Sequence, residues 1–146
     1  MNTRAFLAVM LGLTVVLGPR LVAQNQTEVP AVVPRGKPVA VEHIKIHGTA
    51  LEGNLEGDAA DRDVFVFLPP SYAITKSRRY PVVYALHGFT DTAEGWTQEI
   101  HAPQTIEGAF AKGSREMIVV LPDSMTVYGG SMYSSSVTTK GCGCGR

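Results

Sequence analysis

The stretch Pro81 to Trp96, PVVYALHGFTDTAEGW, constrains this chain more than any other. Val82 to Leu86 is a short apolar run that enters a His87-Gly88 turn and then a polar loop able to open a helix. A buried strand, a tight turn and a helix form the repeating unit of a parallel α/β sheet. Such folds place their chemistry at the carboxyl tips of these strands. At His87-Gly88-Phe89 a glycine lets the backbone approach a ligand, and the next N–H can point at a substrate oxygen, as an oxyanion hole requires. The residues alone also fit a plain strand-to-loop turn, because one tripeptide is a weak motif.

The other signals surround that unit. Val41 to His47 alternates Ile44 and Ile46 with His43, Lys45 and His47, the pattern of a half-buried strand. His43 and His47 are not adjacent on the strand face and no Cys or carboxylate cluster completes a metal set, so both are read as solvent-facing. Gly48 to Asp61 is rich in Gly and Asp, with a turn at Gly57-Asp58. Asp63 to Leu68 reads as a second strand, stopped by Pro69-Pro70, so the two make an antiparallel hairpin at a sheet edge. Ser71 to Arg79 reads as a solvated connector carrying Lys76, Arg78 and Arg79. Asp91-Thr92 can cap a helix over Ala93 to Gln98, and Pro103 suits the first turn of a helix running to Lys112, closed by Gly113. Glu116 to Leu121 reads as a buried strand ending at Pro122-Asp123. An antiparallel hairpin followed by strand, helix and strand predicts an α/β fold.

The ends differ in character. Residues 1–23 carry Arg4, an apolar run from Ala5 to Leu17, the pair Gly18-Pro19 and a small residue, Ala23, the layout of a secretory signal peptide. The run falls short of the ~20 residues a membrane-spanning helix needs. An uncleaved anchor is the alternative. Cleavage predicts a secreted or periplasmic protein with no stable membrane association. Residues 24–40 form a proline-rich linker. The whole chain has 13 basic and 13 acidic residues; without Arg4 and Arg20 the basic count is 11, and no basic stripe invites nucleic acid. Residues 140–146 are a low-complexity tail whose Cys142 and Cys144 suit neither a disulfide nor a zinc site. No metal or organic cofactor is implied.

Taken together, DVFVFLPPSY, YPVVYALHGFTDTAEGW, MIVVLPDS and YGGSMYSSS resemble the esterase family of α/β-hydrolases that includes feruloyl and acetyl-xylan esterases, S-formylglutathione hydrolase and the mycobacterial mycolyltransferases. The resemblance covers residues 41–139. It implies the N-terminal part of an α/β-hydrolase fold, cut before the nucleophile strand, and a serine esterase acting on a small-molecule or carbohydrate ester. It further implies that Phe89, just after His87-Gly88, supplies one oxyanion N–H, and that Trp96, Ser131 and Tyr133 lie near the substrate. The family nucleophile sits in G-x-S-x-G, and the chain has no such motif; Gly129-Gly130-Ser131-Met132-Tyr133 comes nearest. His87 is a poor general base, because the family takes its base from near the C-terminus. The nucleophile, acid and base are therefore expected from sequence beyond Thr139. A mycolyltransferase-like acyltransferase and a non-catalytic binding module are the other readings.

Overall fold

The computed structural model describes residues 28–34, 36–130 and 133. The expected signal segment, Ser131 and the cysteine tail lie outside the described residues. Four strands form one mixed sheet in the order β1-β2-β4-β3. They are β1 (Ala40–His47), β2 (Asp61–Leu68), β3 (Val82–Tyr84) and β4 (Ile118–Pro122). β1 and β2 form the antiparallel hairpin, from Ala40 opposite Leu68 to His47 opposite Asp61. β4 lies antiparallel to β2, with Phe65 opposite Leu121, and parallel to β3, with Tyr84 opposite Val120.

Helices α1 (Ala93–Glu99) and α2 (Ala102–Ala111) join β3 to β4. Thr92 caps α1, its Oγ1 accepting the Gly95 N–H at 2.9 Å. His101 turns the chain between the helices at φ 46°, and Pro103 sits in the first turn of α2, where its missing N–H costs nothing. Val39, Phe67, Ala93, Ala102 and Leu121 make the core, with Phe65, Val119, Trp96, Ile106 and Phe110 packed around them. The period-2 pattern of β2 produces this: Phe65 and Phe67 share one face and meet the helices there.

Two strands differ from the sequence expectation. β1 was expected to be half-buried, yet it is exposed along its whole length. The helices cover the phenylalanine side of β2 and β4, and no β1 side chain joins the core, so alternation on β1 does not translate into burial. The Val82–Leu86 run was expected as a buried strand. It pairs over three residues only, with Ala85 adding one further ladder bond from its N–H to the Val120 carbonyl. Among the described residues β3 is an edge strand with β4 on one side, which leaves Val82, Val83 and Tyr84 exposed.

The connector 71–80 is also more ordered than a solvated loop. Arg78 donates to Ser71 Oγ at 3.1 Å and to Glu116 Oε2 at 2.9 Å, and lies over the Tyr80 ring. Lys76 and Arg79 remain exposed.

Candidate active site

β3 and β4 are parallel neighbours in register, so the residues after their carboxyl ends must meet. His87-Gly88-Phe89 follows β3, and Asp123-Ser124 follows β4. The His87 side chain is 1% exposed between them. Its Nδ1 lies 2.9 Å from the Gly88 carbonyl, which can only accept, so Nδ1 carries the proton. On the other side the Ser124 backbone N–H points at Nε2 from 2.9 Å, so Nε2 offers its lone pair. These two contacts fit one tautomer, Nδ1–H with a bare Nε2.

Ser124 Oγ lies 3.2 Å from the same Nε2, and Asp123 Oδ1 also 3.2 Å from it. Serine, histidine and aspartate side by side have the composition of a catalytic triad but the wrong arrangement. A triad needs the serine on one ring nitrogen and the carboxylate on the other. Here both crowd Nε2, while Nδ1 is committed to a carbonyl. Asp123 Oδ1 instead accepts the Met125 N–H at 3.2 Å and the Ala93 N–H at 3.3 Å, tying the turn after β4 to the start of α1. The cluster is built to hold shape.

The 125–130 segment is anchored in turn. Arg62 donates to the Met125 carbonyl, and Asp58 Oδ1 accepts the Val127 N–H at 2.8 Å. Thr126 Oγ1 accepts the N–H groups of Tyr128 and Gly130. The Thr90 N–H donates to the Gly129 carbonyl at 2.6 Å, which clasps the loop after β3 to the loop after β4. Thr90 takes positive φ (66°), and Gly129 (φ 93°) fits its backbone beneath the Phe89 ring. A side chain on Gly129 would meet Phe89 Cζ at 3.3 Å.

His87, Gly88 and Phe89 are together at the strand tip, with Phe89 61% exposed and, among the described residues, no acceptor facing its backbone N–H. Tyr133 joins them: its hydroxyl donates to the His87 carbonyl at 2.9 Å, and its ring meets the imidazole edge-on at 6.1 Å. Trp96 is partly buried against the core. Ser131 lies outside the described residues. Asp123 and Ser124 carried no role in the sequence reading, although a Pro-Asp-Ser at the end of a parallel neighbour strand is the signal that places them there.

Other polar features lie elsewhere. His43 pairs with Asp63 and stacks on the Phe65 ring, and His47 sits between Asp61 (2.6 Å) and Glu52 (2.7 Å), both histidines being about half exposed. Hydrogen bonds to the Glu52 and Asp61 carboxylates raise the pKa of His47, and those that Asp63 accepts from Lys45 and His43 lower that of Asp63. Among the described residues no group of three or more His, Cys, Asp or Glu could hold a metal ion. A cavity of about 230 Å³, lined by Gly36, Lys37, Pro70, Phe110, Ala111 and Glu116, opens at the amino end of β4, away from His87, and its Glu116 is already paired with Arg78.

The family profile described as "Putative esterase" matches residues 59–140, over half of the chain. The chain belongs to this esterase family. Among solved structures it is similar to a ferulic acid esterase, with TM-score 0.51 and 29% identity over 65% of this chain and 33% of that one. Two structures of a ferulic acid esterase from the anaerobic fungus Anaeromyces mucronatus, one without substrate and one with ferulic acid, match at TM-score 0.49 and 21% identity, covering 78% of this chain and 37% of theirs. The chain thus spans little more than a third of the length of the esterases it matches. Its mixed sheet and helices are a partial α/β-hydrolase fold.

Proposed function

We propose that this chain forms the oxyanion-binding part of a secreted or periplasmic serine carboxylesterase that acts on small-molecule esters. The observation that carries the reading is the Phe89 N–H, which has no acceptor among the described residues and sits on a braced turn at the carboxyl tip of a parallel strand. A donor held there before the reaction stabilises the tetrahedral oxyanion without reorganisation, and such a donor contributes about 3 kcal/mol in comparable sites. Membership of the esterase family supports ester hydrolysis as the reaction. Similarity to a ferulic acid esterase supports a small ester, with an aromatic acyl group as one candidate.

In this mechanism the nucleophilic serine, its histidine and the orienting acid come from sequence beyond Thr139, and the residue after the serine gives the second N–H. His87 is not assigned the general-base role, because both its ring nitrogens are already engaged in holding the turn.

The test is to sequence the gene through the codon for Thr139 and to assay the product of that reading frame on methyl ferulate and p-nitrophenyl acetate. The expected result is a G-x-S-x-G between a strand and a helix, and turnover that a serine-directed organophosphorus reagent abolishes. A frame without the motif, or a product without turnover, overturns the reading.

A further inference from the structure

The Gly88–Phe89 peptide is one planar trans unit, so its C=O and N–H point in opposite directions. Whatever fixes the Gly88 carbonyl therefore aims the Phe89 N–H. Two groups donate to that carbonyl: His87 Nδ1 at 2.9 Å, and the Asp91 N–H at the longer distance of 3.4 Å. Gly88 has no neighbouring atom within 4 Å of the place a Cβ would occupy. No packing fixes the Gly88 side of this peptide, and a glycine there leaves it freer to rotate.

The imidazole supplies the missing restraint. It is locked at its far nitrogen by the Ser124 N–H, and its own backbone carbonyl is held by the Tyr133 hydroxyl. We infer that His87 is a positioning residue: its ring is a strut from the end of β4 to the Gly88 carbonyl that keeps the peptide from flipping and the Phe89 N–H aimed at the substrate. The inference takes its catalytic consequence from the esterase reading, but its geometry stands without it.

The experiment uses the 146-residue chain labelled with ¹⁵N. In the wild type, the long-range spectrum of His87 should show Nδ1 protonated and Nε2 bare. The Phe89 amide should give one sharp signal, and the Thr90 amide should be protected from exchange. His87→Leu fills the buried space but removes both ring contacts. His87→Asn restores an N–H donor close to the Nδ1 position.

The leucine variant should broaden or double the Phe89 signal and lower Thr90 protection roughly tenfold, the equivalent of about one hydrogen bond; the asparagine variant should recover most of both. A residue that only packed would give the opposite order, because an apolar side chain suits a buried site better than an amide. An unchanged Phe89 signal in His87→Leu, or a wild-type ring protonated at Nε2, overturns the inference. Should His87→Leu fail to fold, the ring spectrum of the wild type decides. Absence of ester turnover with these signatures intact would count against the esterase reading and leave the strut standing.

Discussion

At the scale of single residues, the chain spends its buried polar groups on holding one turn. His87 is its only buried polar or charged residue among those described, and both ring nitrogens face a partner. Gly129 shows how tight the neighbourhood is. At φ 93° a side chain is strained, and a Cβ would crowd Phe89 and Thr90. Gly129→Ala should therefore destabilise by about 1–3 kcal/mol and displace the Phe89 ring, read as a lower urea midpoint with shifted Phe89 signals.

The hairpin makes a separate residue-scale prediction about pH. The folded pKa of His47 is raised, so its contribution is full below the ordinary histidine value and is lost as pH rises through the folded value. Asp63 is lowered, so its contribution is present above the ordinary aspartate value and is lost as pH falls through the folded value. The β1–β2 hairpin should be tightest near pH 5–6. Amide exchange at its His47–Asp61 end, corrected for the intrinsic rate, should be slower there than at pH 8. The effect is small, because these side chains are about half exposed.

At the scale of elements, much was legible. The hairpin and both helices follow from alternation, caps and prolines that act within a few residues of themselves, and the strand–helix–strand order implies that β3 and β4 run parallel. Thr92 is one such signal, and Thr92→Ala should cost about 1 kcal/mol by freeing the Gly95 N–H. Burial was less legible. The alternation of Ile44 and Ile46 reads as a core face, but whether a face is covered depends on where α1 and α2 dock, and they dock over Phe65 and Phe67. The site was legible in half. His87-Gly88-Phe89 is contiguous and carries its own signal. Its partners Ser124 and Tyr133 lie 37 and 46 residues further on, and only the register of β3 with β4 brings them together.

For the molecule as a whole, the core is modest and the two sheet edges are unlike. Phe67 is fully buried at the centre, and Phe67→Ala should cost about 3–5 kcal/mol. That is a large share of the 5–15 kcal/mol typical of a domain, so the variant should unfold at a much lower urea midpoint, read by circular dichroism. The β1 edge carries Glu42, His43, Lys45 and His47, charges that discourage pairing with another chain. The β3 edge carries Val82, Val83 and Tyr84, each more than 40% exposed. The 146-residue chain should self-associate through β3, and Val82→Lys should shift it towards monomer in sedimentation velocity.

The central claim is that the Phe89 N–H serves as the oxyanion donor of an esterase. The most direct measurement is kcat on p-nitrophenyl acetate for the product of the reading frame through Thr139, with and without Phe89→Pro. Proline removes that N–H together with the ring, so Phe89→Ala, which keeps the N–H, serves as the control, and Gly88 tolerates the restriction a following proline imposes. The account predicts a loss of about 100- to 1,000-fold in kcat with little change in KM. A proline variant that turns over as fast as the parent, or a parent with no turnover, would contradict it.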